Sequence, residues 1–132
     1  MGEAPIRVYV VDDEPLIHGV WRRLLGRQKF DVVSFQSARA ALAALAGDPA
    51  VDVIVTDLAM PRNNGLWLMR EILALRPDRG GQIPVLAVSA HDDAYDRRRV
   101  LDAGFREYLV KPVAIRELSR VVAQLVARAS TT

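Results

Sequence analysis

Residues 8–13 read Val8-Tyr9-Val10-Val11-Asp12-Asp13, so two carboxylates directly follow four apolar, strand-favouring residues. The arrangement recurs along the chain: Asp57 follows a second such run, Ser89 ends a third, and Lys111 follows a fourth. Short apolar runs of this kind are typical of the buried strands of parallel sheets. Open parallel sheets bind ligands at the carboxyl ends of their strands. We therefore expect three carboxylates, one hydroxyl and one ammonium to share a crevice.

The rest of the chain alternates strand-like and helical patterns. Strands are predicted at about 6–11, 31–35, 51–56, 84–88 and 107–110. Helices are predicted at about 15–27, from a Ser37 cap to 46, and at 66–75, 93–103 and 115–128, the fourth closed by Gly104 as a left-handed cap. Such alternation predicts βαβ units and a parallel sheet. Right-handed crossovers on so small a sheet favour helices on both faces.

Composition limits the class of protein. The 132 residues suit a single domain, expected to span 1–132 with a core at about 6–128 and no effector domain after it. No apolar stretch approaches the roughly 20 residues of a membrane span, and the N-terminus lacks a secretory pattern. Cysteine is absent, which excludes disulfides and fits a cytoplasmic location. The net charge of +2 and the lack of a recognition-helix module argue against direct nucleic-acid binding.

The expected crevice has a definite chemistry. Three converging carboxylates repel one another unless a cation or a proton intervenes, and oxygen ligands with room for water suit Mg²⁺. A carboxylate can also act as a nucleophile and form an aspartyl-phosphate, and phosphoryl transfer needs mainly positioning and charge neutralisation. Taken singly, Asp12 and Asp13 could cap a helix and Lys111 could be an ordinary surface lysine. The combination points to a site for a divalent cation and a phosphoryl group.

Four segments follow one another along the chain: Val10-Val11-Asp12-Asp13-Glu14, Asp57-Leu58-Ala59-Met60-Pro61-Arg62-Asn63-Asn64-Gly65, Val88-Ser89-Ala90 and Tyr108-Leu109-Val110-Lys111-Pro112. In this order they resemble the response-regulator receiver domain of two-component signalling, including the chemotaxis regulators. The resemblance covers about residues 6–128 and implies a flavodoxin-like, doubly wound, five-stranded parallel sheet of strand order 2-1-3-4-5 with helices on both faces.

The resemblance implies that Asp57 accepts a phosphoryl group from a histidine kinase or a histidine phosphotransfer protein. Mg²⁺ is the implied cofactor. Asp13 would ligate it directly and Asp12 mainly through water, with Asp57 and the backbone carbonyl of Ala59 completing the protein ligands. The implied activity is that of a signalling domain, not an enzyme, with only self-phosphorylation from small donors and slow autodephosphorylation.

Other residues acquire expected roles from the same resemblance. Ser89, the backbone of Ala90 and Lys111 would contact the phosphoryl group, and the Lys111–Pro112 peptide bond would be cis. Ser89 and Tyr108 would form the switch, with Tyr108 turning inward. Ala59 and His91 lie where they could tune the lifetime of the phosphoryl group.

The expected output surface consists of the fourth predicted helix, the fifth strand and the fifth helix. An unknown output protein, or a second copy of the chain forming a homodimer, would bind there. The run Arg97-Arg98-Arg99 lies on this surface and is either a solvated helix face or a docking patch for an acidic partner. Whether the receiver stands alone or belongs to a hybrid histidine kinase or a transcription factor stays open at this point.

One departure from the family pattern and two other classes of protein need to be weighed. Asn64 precedes Gly65 where the family usually has aspartate, and asparagine tolerates the same turn and cap geometry. A dehalogenase-like phosphatase would carry a second aspartate two residues after its nucleophile, but Ala59 stands there. An FMN carrier would need glycine or hydroxyls in the first strand–helix loop, which is acidic here.

Overall fold

The computed structural model describes residues 5–90 and 96–130. In this part of the chain five strands alternate with five α-helices, and one 3-10 turn, Pro77–Arg79, precedes the fourth strand. The strands are β1 Ile6–Val11, β2 Phe30–Phe35, β3 Val53–Asp57, β4 Val85–Ser89 and β5 Glu107–Val110. The helices are α1 Pro15–Arg27, α2 Ala38–Gly47, α3 Gly65–Leu73, α4 Arg97–Asp102 and α5 Ile115–Ser130.

The strands form one parallel sheet of order β2-β1-β3-β4-β5. The predicted flavodoxin-like topology is thereby confirmed. The chain winds from β1 outward to β2 and then returns to place β3 on the other side of β1. Ligands of open α/β sheets bind at such a reversal, beyond the carboxyl ends of the strands. The reversal here lies between β1 and β3, the two strands that lead into the acidic residues.

Alternate residues of the central strands supply two hydrophobic cores, one on each face of the sheet. Helices α2, α3 and α4 cover the first core, where Ile54 of β3 is buried with Leu45, Ile72 and Val100. Helices α1 and α5 cover the second, where Val55 is buried with Leu25 and Leu118. Helices therefore lie on both faces of the sheet, as predicted. They pack against the strands whose carboxyl ends carry the polar residues.

Several element ends differ from the sequence prediction, and local hydrogen bonds explain two of them. β3 begins at Val53 and not at 51 because its pairing with β1 starts at Val8; before that point Asp52 bonds to the Arg7 backbone through its N–H and its carboxylate. α4 begins at Arg97, where the Asp96 carboxylate accepts a hydrogen bond from the Arg98 N–H. The predicted start at 93 lies outside the described residues. The Ser37 cap and the left-handed Gly104, with φ of 118°, are confirmed.

Candidate functional site

The carboxyl edge of the sheet brings together residues far apart in sequence. Asp12 follows β1, Asp57 ends β3, and Lys111 follows β5. The Lys111 Nζ lies 2.9 Å from the Asp12 Oδ2 and 3.2 Å from the Asp57 Oδ2. The lysine side chain is 19% exposed, Asp57 11% and Asp12 only 2%. Lys111 is therefore a partly buried cation shared by two carboxylates.

Asp13 completes an acidic cluster with Asp12 and Asp57. One carboxylate oxygen from each of the three lies within 4.8 Å of the others. Asp12 is buried, whereas Asp13 and Asp57 are partly accessible from outside. The donor set consists of hard oxygens with an open side for water, which is the environment that Mg²⁺ prefers. The chemistry of the cluster thus fits the ion that the sequence analysis predicts.

Burial and charge act in opposite directions at this cluster. Burial raises the pKa of Asp57; the Lys111 charge and the Ala59 N–H bond lower it by less, so the net shift is upward. Burial lowers the pKa of Lys111, but the hydrogen bond to Asp12 and the charges of both aspartates outweigh it, and the net shift is also upward. The fold therefore keeps the lysine charged while making the charge on Asp57 unfavourable.

The loop between β3 and α3 is fixed to Asp57 by backbone contacts. The Ala59 N–H donates to the Asp57 Oδ1 at 3.1 Å, and the Gly65 N–H donates to the Leu58 carbonyl at 3.0 Å. A Cβ on Gly65 would lie 2.5 Å from the Asp57 carbonyl oxygen, so glycine is required by this close approach. Asn64 caps α3 by accepting a hydrogen bond from the Trp67 N–H at 2.9 Å. The departure at Asn64 thus keeps the cap geometry.

The remaining predicted residues lie around the same edge. Ser89 is buried at the end of β4, and its carbonyl accepts a 2.8 Å hydrogen bond from the Lys111 N–H. Ala90 is exposed beside it, and the Lys111–Pro112 bond is cis. Tyr108 is already buried in the first core at 5% exposure. The prediction for His91 lies outside the described residues.

Two contacts of this region were not anticipated from the sequence. The Trp21 ring on α1 has the Lys111 Nζ 6.0 Å from its centroid. On the opposite face, Arg97 of α4 donates to the Tyr108 carbonyl at 3.1 Å and pairs with Glu107. Trp21 shares the helical spacing of Ile17 and Leu24, a signal that could have placed it on the apolar face of α1. Nothing in the sequence pairs Arg97 with β5.

The fold and the site together define the class of protein: a flavodoxin-like α/β domain with three carboxylates, a lysine and a buried hydroxyl at the carboxyl ends of its strands. Within that class, residues 8–123 match the model of the response regulator receiver domain. The chain belongs to this family and is a receiver domain of two-component signalling. The family implies interaction with histidine kinases and with output domains.

Curated relatives and solved structures agree with this assignment. Response regulator MprA of Mycolicibacterium vanbaalenii is 37% identical over 114 residues, 86% of this chain and 47% of that protein. Transcriptional regulatory protein AruR of Pseudomonas aeruginosa is 34% identical over 127 residues, 92% of this chain and 50% of that protein. A receiver domain from Clostridium thermocellum superposes with a TM-score of 0.86 at 27% identity, covering 96% of this chain and 98% of that one.

The chain spans about half the length of the curated relatives it matches. The activities of those longer proteins therefore do not transfer to it directly. Among the described residues, no helix has both the length and the apolar character to cross a membrane.

Proposed function

We propose that this receiver domain accepts a phosphoryl group on Asp57 from a phosphohistidine of a histidine kinase or a histidine phosphotransfer protein. The observation that carries the proposal is the pairing of Lys111 with both Asp12 and Asp57, beside the open carboxylate of Asp13. This arrangement combines a nucleophile, a fixed cation and a set of metal-binding oxygens at one edge. Phosphoryl transfer requires that combination of positioning and charge neutralisation.

In the proposed reaction a carboxylate oxygen of Asp57 attacks phosphorus. The phosphorus–nitrogen bond of the donor breaks as the new phosphorus–oxygen bond forms, and the imidazole leaves with its electron pair and takes up a proton. Asp12, Asp13, Asp57 and the Ala59 carbonyl would hold Mg²⁺, which supplies neutralisation of negative charge on the transferring group.

Lys111, the Ser89 hydroxyl and the Ala90 backbone are proposed to contact the phosphoryl oxygens. The new group adds close to two negative charges, and Lys111 would follow it from its present carboxylate partners. Since the Lys111 N–H is bonded to the Ser89 carbonyl at 2.8 Å, movement at Ser89 would reach β5 directly. Tyr108 and the α4–β5–α5 surface would then change conformation. Phosphorylation would in this way shift the balance between two conformations of the output surface.

The lifetime of the phosphoryl group is proposed to depend on Ala59 and His91, because Ala59 lies two residues after Asp57 and His91 two residues after Ser89. Ala59 is exposed and offers no acid to a leaving group, so the geometry does not favour the dehalogenase-like phosphatase. The output is proposed to pass through a protein partner or a second copy of the chain at the α4–β5–α5 surface. Either a free-standing receiver or one joined to an output module would work in this way.

The test is the intact mass of the protein after incubation with acetyl phosphate, with and without Mg²⁺. We expect one added phosphoryl group on the wild type, lost when Mg²⁺ is chelated and lost in Asp57→Asn. A variant lacking Asp57 that gained the group at the wild-type rate would disprove the acceptor assignment. Failure of the wild type to gain it, together with failure to bind beryllofluoride, would reject the proposal as a whole.

A further inference from the structure

Trp21 stands beside the site without belonging to the acidic cluster. It lies on α1, half-buried, and packs against the second core. With Ala90, Lys111, Pro112 and Val113 it lines a cleft of about 420 Å³ whose surface is mostly apolar. The large ring and the lysine side chain therefore line the same cleft.

The ammonium of Lys111 can donate three hydrogen bonds. Asp12 and Asp57 each accept one of them. The Asp12 and Asp57 oxygens lie at 2.9 and 3.2 Å, and the Trp21 ring centroid lies 6.0 Å away. A cation within about 6 Å of a tryptophan face is attracted by the ring quadrupole, more strongly than by phenylalanine or tyrosine. Because Lys111 is only 19% exposed, water screens this attraction weakly.

We propose that Trp21 is a positioning residue for the Lys111 ammonium. The ring would hold the charged end of the lysine at the edge of the site while the carboxylate of Asp57 is converted to an acyl phosphate. At that moment one of the two anionic partners of the lysine changes its shape and charge, whereas the ring does not change. The effect of Trp21 on phosphorylation rests on the proposed function, whereas the attraction between the ring and the ammonium is a property of the resting protein.

The attraction itself is tested by a double-mutant cycle in metal-free buffer, with unfolding by denaturant as the measurement. Trp21→Leu removes the ring and keeps an apolar side chain; Lys111→Met removes the charge and keeps the stem. We expect the two substitutions to be non-additive, with a coupling of about threefold in the unfolding equilibrium constant. Should Trp21→Leu fail to fold, Trp21→Met replaces it. Additive losses would overturn the proposal, because packing alone does not depend on the charge of residue 111.

The consequence is tested by the rate of phosphorylation from acetyl phosphate. We expect Trp21→Leu to slow it about threefold and Trp21→Phe to restore part of the rate, with the half-saturating Mg²⁺ concentration unchanged. Trp67→Leu is the matched control, since Trp67 is also half-buried and also faces a cation, with the Arg39 guanidinium 5.3 Å from its ring centroid.

The control should be phosphorylated at the wild-type rate. A wild-type rate in Trp21→Leu would overturn the positioning role even if the cycle showed coupling. A wild type that takes up no phosphoryl group would instead reject the proposed function, while the cycle would still decide whether the ring attracts the ammonium.

Discussion

Each end of β1 lies beside an ion pair between a cation and a carboxylate, but the surroundings of the two pairs differ. At the amino end, the Arg7 guanidinium pairs with the Asp48 Oδ2 at 3.0 Å and the Arg7 N–H donates to the Asp52 Oδ2 at 2.8 Å. At the carboxyl end, Lys111 is shared by Asp12 and Asp57. The arginine pair is 33% and 56% exposed, whereas the lysine and its partners are 19% exposed or less.

The pKa values show what this difference does. The Ala50 N–H and Arg7 lower the pKa of Asp48, so the fold favours its charge. Burial raises the pKa of Asp57 despite Lys111, so the fold disfavours its charge. The amino-end cluster therefore has the properties of a structural ion pair, whereas a carboxylate with a raised pKa beside a partly buried lysine is typical of functional sites.

The largest difference between the ends should appear when each cation is removed. We expect Lys111→Met to lower the free energy of unfolding by roughly 3 kcal/mol at pH 7, because it leaves the buried Asp12 and the partly buried Asp57 without their shared cation. Arg7→Met is the matched control and should lower it much less, since its partner is open to water. Urea unfolding of both variants in metal-free buffer measures the two losses. Equal losses would show that the ends do not differ as described.

The sequence was sufficient for the layout of the carboxyl end. Parallel topology follows from alternation of apolar runs and helical patterns, and it obliges Asp12, Asp57, Ser89 and Lys111 to meet at one edge. Chain direction thus determines the neighbourhood of these residues before any side-chain packing is considered. The observed bounds of β1, α1 and β5 coincide with the approximate bounds predicted from local apolar runs and helical periodicity.

The sequence was not sufficient for contacts that depend on tertiary distance alone. Arg7 and Asp48 are separated by 41 positions and carry no pattern that joins them. The contacts of Trp21 with Lys111 and of Arg97 with β5 depend on how far each helix is rotated and displaced against the sheet. Periodicity specifies which face of a helix is apolar, but not which polar atom a long side chain reaches.

Mg²⁺ should bind at the carboxyl end of β1 and thereby stabilise the folded domain. At ten times its dissociation constant, a ligand that binds the folded state alone raises the free energy of unfolding by about 1.4 kcal/mol. We expect this gain in the wild type and its loss in Asp13→Asn, which removes one of the three clustered carboxylates. Denaturant unfolding with Mg²⁺ and with chelator measures it. An equal gain in Asp13→Asn would place the ion elsewhere.

Asp57→Asn should make the metal-free protein more stable at pH 7, on the order of 1 kcal/mol, as is common when a charge held for function is neutralised. The folded pKa of Asp57 lies above its ordinary value of 3.8. The wild type therefore loses stability as pH rises through the folded pKa, and the variant does not. The gap between them should close below about pH 4, where Asp57 is protonated in both states. A gap that widened on acidification would contradict the upward shift.

Asp48→Asn should have the smallest effect. The Asn side-chain oxygen can still accept the Ala50 N–H, so the substitution removes mainly the charge paired with Arg7. The lowered pKa of Asp48 means that its contribution is present above pH 3.8 and is lost as pH falls through the folded pKa. In about 1 M salt the screening length is near 3 Å, so the exposed pair should contribute almost nothing.

Salt therefore separates the two ends of β1. We expect the small loss of stability in Asp48→Asn, measured by thermal unfolding, to vanish at high salt. The loss in Lys111→Met should largely persist, because its partners are shielded from the solvent ions. If both losses vanished alike, water and ions would reach the Lys111 cluster as freely as they reach Arg7, and burial would not be what separates the two ends of β1.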